Sequence, residues 1–136
     1  FGFFPNVTRS NTTSKNALSL HPSQEAYYVT RSYLTRNGNG YLPNEKKLNL
    51  INNENETNKT HAYQGEFRTA ELDTSLLNYA LHCDNHFSEG LKKNLVITCM
   101  DQFEIDVQKL LSKLDFHFDK VYISRGPSLK DISQFK

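Results

Sequence analysis

"NLVITCM", residues 94–100, is the stretch on which the fold turns. It is a short apolar run of strand length. A strand with one wet face alternates apolar and polar residues, whereas a near-continuous run marks a strand buried on both faces, as in a parallel sheet covered by helices. Upstream, "LDTSLLNYAL" (72–81) offers Asp73 as a helix N-cap after Leu72, and Leu76, Leu77, Ala80 and Leu81 fall on one helical face. Downstream, Phe103, Val107, Leu110, Leu111 and Leu114 form the apolar stripe of a second amphipathic helix. "FDKVYIS" (118–124) then reads as another strand, running into an "RGPS" turn. Helix, strand, helix, strand in that order predicts an α/β layer with parallel strands and right-handed crossovers. Ligands of such sheets gather at the carboxyl ends of the strands, which singles out Cys99 to Gln102 and Ser124 to Pro127.

The first half is less regular. Ala26 to Tyr33 is β-branched and aromatic between turn formers, and predicts a strand. "INNENETNKT" (51–60) is a polar loop without periodicity. Gly38-Asn39-Gly40 reads alone as a hairpin turn. It is no Walker loop, because no lysine followed by Ser or Thr closes it. "NVTRSNTTS" (6–14) concentrates hydroxyls and amides, groups that bind phosphate oxygens without charge and equally build turns.

The chain has 136 residues, sufficient for one domain with a real core. Its formal net charge of +1 gives no field directed at nucleic acid or a membrane surface. No apolar run approaches the ~20 residues of a membrane span. The sequence opens at Phe1 without a signal-peptide pattern, and its one methionine is Met100. The reading adopted is a fragment of a longer, cytoplasmic protein. Asn6, Asn11, Asn55 and Asn58 each begin an N-x-S/T triplet, read as chance in an Asn- and Thr-rich chain. An alternative of another class takes them as glycan sites of a secreted binding domain with a Cys83–Cys99 bridge.

His82, Cys83 and His86 have ligand-like spacing but no evident further ligand, so no metal site is expected there. Cys99 reads as a small filler at a strand end. Asp101, just past a buried strand, has two readings. It can accept hydrogen bonds from a purine's ring N–H and exocyclic amine, or cap a helix beginning near Phe103.

Five segments in one order resemble the adenylosuccinate synthetase family. "FFPNVTRSNTTS" is similar to its tyrosine-proline-x-valine-threonine-serine-serine-asparagine-threonine-threonine segment. "RSYLTRNGNGYLPNE" is similar to its segment with an arginine before a glycine-x-glycine loop. "GEFRTAELDTSLLNYAL" resembles the end of its aspartate-binding loop and the helix that follows. "LVITCMDQ" resembles its leucine-threonine-lysine-leucine-aspartate strand end, and "ISRGPSLKDI" its serine-threonine-glycine-proline turn.

The resemblance implies the C-terminal part of a P-loop-NTPase-like synthetase fold. Residues 1–71 would supply substrate-binding loops and short strands, and 72–136 the layer lining the triphosphate base. It implies ligation of L-aspartate to the 6-position of a purine nucleoside monophosphate (IMP), driven by GTP with Mg²⁺, in a homodimer. The 6-oxygen is phosphorylated first, and aspartate's amine then displaces phosphate. Thr8 falls where the family binds the 5′-phosphate, Arg36 and Asn37 in the ribose loop, and Arg68 where carboxylates of aspartate are bound. Asp101 falls on the aspartate that reads the triphosphate base, and Ser124 and Gly126 on the turn lining that base. No segment corresponds to the family's catalytic aspartate, catalytic histidine or glycine-rich phosphate loop. No catalytic residue is therefore expected in this fragment, and Mg²⁺ would be held mainly elsewhere. The departures are Cys99 for a lysine, Asn37 for a valine, Tyr41 for a proline, and a shortened loop before Arg68. They leave a second substrate pair open, GMP or dGMP with ATP, as in a viral branch that makes a 2-aminoadenine precursor.

Overall fold

The computed structural model describes residues 13–51 and 59–136. The chain enters through a short helix, α1 (Lys15–Leu20), and then strand β1 (Glu25–Arg31). Strands β2 (Tyr33–Asn37) and β3 (Phe67–Glu71) follow, then helix α2 (Thr74–Asn85) and strand β4 (Lys92–Thr98). Helix α3 (Val107–Leu111), strand β5 (Lys120–Ser124), a 3-10 turn (Leu129–Asp131) and strand β6 (Ile132–Gln134) complete the order. The architecture is α/β. A four-stranded sheet runs β1-β4-β5-β6, with β1/β4 and β4/β5 parallel and β6 antiparallel.

The "NLVITCM" run forms most of β4, at the centre of this sheet. Leu95 and Ile97 are fully buried, and with Val121 and Ile123 of β5 they meet Leu81 of α2 and Val107 and Leu110 of α3. Met100 and Phe118 close the core, and Tyr28 of β1 packs edge-on against Phe118 with ring centroids 6.5 Å apart. Helix α2 starts where its sequence predicts: the Asp73 carboxylate accepts the Leu76 N–H at 2.9 Å. That bond satisfies a donor that a helix N-terminus otherwise leaves unpaired.

Three expectations need correction. The predicted strand from Ala26 to Tyr33 is two strands in two sheets, broken at Ser32. The Ser32 N–H donates to Thr98 O (2.9 Å) and its hydroxyl to Cys99 O (3.0 Å), so the chain leaves the parallel sheet there. Tyr33, with no exposed surface, begins a separate two-stranded antiparallel sheet with β3. The second helix is short. The Cys99 carbonyl accepts from the N–H groups of Gln102 and Phe103, which makes a turn where the apolar stripe suggested helix. Phe103 instead packs edge-on against Tyr33, and Leu114 packs on the core from beyond α3. Asp101 accordingly caps no helix, because the N-cap of α3 is Asp106, whose carboxylate accepts the Lys109 N–H at 2.9 Å. Strand β6, exposed along its length, carries no pattern that announced it.

Candidate functional site

Parallel strands that end side by side bring their following loops together. At the carboxyl ends of β4 and β5, the Met100 N–H donates to Ser124 O at 3.1 Å. This bond joins the Cys99–Gln102 turn to the Ser124–Pro127 turn. Cys99 is half-buried and has φ +60°, a left-handed conformation that costs a non-glycine residue ~1–2 kcal/mol. Its carbonyl holds the kink in place by accepting from Ser32, Gln102 and Phe103. Backbone strain sustained by surrounding bonds is a feature of functional sites. The kink ends the strand and lifts half-buried Asp101 out beyond the sheet.

On the neighbouring turn, the Ser124 hydroxyl donates to Gly126 O at 2.9 Å. Gly126 has no room for a side chain, since a Cβ there would lie 2.6 Å from an Asp131 carboxylate oxygen. That carboxylate accepts from the Ser128 N–H (2.9 Å) and hydroxyl (2.7 Å), and these bonds hold the Asp131 pKa below its usual value. The Arg125 N–H donates to Asp131 O, which completes a closed turn. Cys99, Asp101, Ser124 and Gly126 are therefore brought together, as their positions at strand ends implied.

The second group sits on the β2/β3 sheet. Arg36 and Arg68 are directly paired in its register, and Asn37 is opposite Phe67. The Arg36 Nε donates to Asn39 O at 3.2 Å, and its guanidinium lies against Gly40, whose φ of +113° favours glycine. Asn37 Nδ2 donates to Lys59 O at 3.0 Å. Arg68 makes a bidentate pair with Glu45, Nε to Oε1 at 2.7 Å and Nη2 to Oε2. Its Nη1 donates to Gly38 O (2.7 Å) and Gly40 O (2.9 Å). Arg68 thus clamps the glycine loop, and its guanidinium holds the Glu45 carboxyl below the usual carboxylate range. Glu45 presents to Arg68 the same group that a substrate carboxylate would. Thr8 lies outside the described residues.

Ser32 and Glu45 organise the two groups, yet neither stood out from the sequence. A serine interrupting a β-rich run was the one signal for the first. Among the described residues, no group of three or more His, Cys, Asp or Glu side chains gathers as a metal site. His82 instead lies 3.0 Å from Asp115 and edge-on to Phe116. Cys83 and Cys99 are free thiols, so the bridge of the secreted-domain alternative is not formed. No described helix is long and apolar enough to cross a membrane. Neither a protein-family model nor a curated protein matches the sequence at a significant level.

Proposed function

We propose that this chain forms the nucleotide- and aspartate-binding walls of an adenylosuccinate synthetase-type ligase, as the C-terminal part of a P-loop-NTPase-like fold. The observation that carries the reading is the union of the Cys99–Gln102 and Ser124–Pro127 turns through Met100 N–H and Ser124 O. It puts an acidic side chain and a glycine turn at adjacent carboxyl ends of parallel strands, where α/β sheets bind ligands. In this reading Asp101 accepts the ring N–H and amine of the triphosphate's guanine, and Ser124 and Gly126 line the base. Arg36 and Asn37 form the ribose side of the monophosphate pocket, with Thr8 at its phosphate. Arg68 binds the aspartate carboxylate after exchanging it for Glu45.

The chemistry proposed is transfer of the terminal phosphoryl group to the purine 6-oxygen, then displacement of phosphate by aspartate's amine. This chain contributes binding and orientation to those steps, and its partners are the remainder of the synthetase and a second copy, in the cytoplasm. Mg²⁺ would be held mainly by the triphosphate and the remainder of the synthetase, and would neutralise phosphoryl charge there. A second reading, (d)GMP with ATP, draws support from Cys99, which replaces a lysine stem beside the base and alters that wall.

Equilibrium binding of GTP, ATP and IMP to the 136-residue chain tests the assignment, with Asp101→Asn as the diagnostic variant. An amide cannot accept both donors of guanine, and hydrogen bonds to a charged acceptor contribute ~1.5–3 kcal/mol. GTP affinity should therefore fall about tenfold or more while IMP affinity holds. Equal GTP binding by the folded variant would remove Asp101 from the base site.

A further inference from the structure

The parallel sheet has a second face, turned away from α2 and α3. Side chains alternate between the two faces along a strand. Tyr28, Leu95, Ile97, Val121 and Ile123 point into the core, so Tyr27, Val29, Val96 and Tyr122 point the other way. Ile132 joins them through its register with Ser124. The apolar run of β4 predicts burial on both sides, yet Val96 is only half-buried. Tyr27, Val29 and Ile132 are 53%, 67% and 41% exposed.

The two faces differ in kind. The covered face of β4 and β5 is aliphatic, whereas the open one mixes aromatic rings with polar and cationic groups that a packing helix would bury at a cost. Strands two apart in a sheet lie ~10 Å from each other. The Tyr27 and Tyr122 ring centroids are only 6.4 Å apart, so the rings lean together across β4. Glu25 is the one carboxylate among the strand residues of this face, and neutral donors occupy it: the Tyr27 hydroxyl at 2.9 Å and Asn94 Nδ2 at 3.1 Å. Lys92 and Lys120 flank it at the amino end. Arg31 stands at the carboxyl end of β1, held over the Tyr33 ring at 5.7 Å. Three cations against one carboxylate is a local excess that the chain's net charge of +1 conceals.

We propose that this open face binds single-stranded nucleic acid. Unpaired bases stack on Tyr27 and Tyr122, and phosphates meet Lys92, Lys120 and Arg31. Aromatic rings on an exposed sheet, bordered by cations, hold unpaired strands because every base has a π-face and every linkage a charge. The inference stands apart from the nucleotide reading and survives its failure.

Fluorescence anisotropy tests it on the 136-residue chain with a labelled thymidylate oligomer of about 12 nucleotides, within the ~4–16 that one such domain spans. Saturable binding is expected, and it should persist in saturating GTP. Tyr27→Ala, at an exposed position, should weaken it about tenfold through the loss of one base stack. Lys120→Gln should flatten the slope of log affinity against log salt by about 0.7, one phosphate contact. Absence of saturable binding overturns the proposal, as does unchanged affinity in Tyr27→Ala. So does equal binding of an abasic oligomer of the same length to the native chain, a result that needs no variant to fold. Displacement by GTP overturns it by assigning the oligomer to the carboxyl-end turns. A dimer of the chain alone that Tyr27→Ala dissociates overturns it by assigning the face to a second copy.

Discussion

The parallel sheet and the β2/β3 sheet solve the same problem with different means. In the first, β4 and β5 bury Leu95, Ile97, Val121 and Ile123 against α2 and α3, and apolar packing dominates. In the second, Tyr33, Leu42, Leu48 and Ala70 are buried outside that core, and polar bonds across a long loop hold the strands and turns in place. The first region is cohesive because burying apolar surface is non-directional and cumulative. The second is specified bond by bond, which lets it present two arginines and a glycine loop at a surface. The candidate base site stands where the two meet, at Ser32 and Cys99.

The largest effect should come from breaking the cohesive region. Ile97 has no exposed surface, and Ile97→Ala removes side-chain atoms from the middle of the core. A loss of ~2–5 kcal/mol in unfolding free energy is expected by urea denaturation, because the cavity cannot fully collapse around a central strand. A loss under ~0.8 kcal/mol, less than a single buried methylene contributes, would show that β4 does not carry the core.

A smaller effect is expected where a polar device sits inside the cohesive region. The buried Asp84 carboxylate accepts the Ser14 N–H at 2.6 Å and the Tyr28 hydroxyl at 2.7 Å, tying α2 to β1 and to the start of α1. Burial alone would raise its pKa, but the Ser14 and Tyr28 donors outweigh burial and hold it below the ordinary 3.8. Burial and the bond to Asp84 also push the Tyr28 hydroxyl up to about 12. Asp84→Asn keeps the shape but turns an amide NH₂ toward one donor, for ~1–3 kcal/mol of destabilisation. A depressed folded pKa means that the carboxylate's stabilisation is complete above the unfolded value and is lost as pH falls through the folded one. The stability gap between native chain and variant should therefore be full near neutrality and narrow below pH 3.8. A gap unchanged into acid would mean that the charge of Asp84 contributes nothing.

The same contrast explains what could be read in advance. Helix α2, its Asp73 cap and the strands β4 and β5 were legible because caps and apolar periods are encoded within a few residues. The end of β1 was not, because it depends on a bond from Ser32 to the carbonyl of Cys99, 67 residues away. The shortness of α3 follows from that same kinked carbonyl, which no periodicity records. At the candidate site, the strand-end positions of Asp101, Ser124 and Gly126 followed from the α/β pattern. The engagement of Arg68 by Glu45 did not, since it spans 23 residues of irregular chain.

The mildest global change, and the sharpest local one, should come from the bond-specified region. Thr69 is buried in β3, and its hydroxyl donates to Lys46 O at 2.7 Å while accepting the Leu48 N–H at 3.0 Å. With the Lys46 N–H bonded to Thr69 O, one side chain and its own backbone pin residues 46–48 along the strand. Thr69→Val has nearly the same volume and suits a strand at least as well, so packing and propensity do not change against it. What disappears is the partner of a buried N–H, at a cost of ~1–2 kcal/mol. If the two regions are specified differently, hydrogen exchange at the Leu48 amide should accelerate well beyond the global change, while the Leu95 and Ile97 amides track the global change alone. Uniform acceleration would mean that the two sheets open as one cooperative unit. The loop carrying Arg36 and Arg68 would then draw its order from the parallel core rather than from its own bonds.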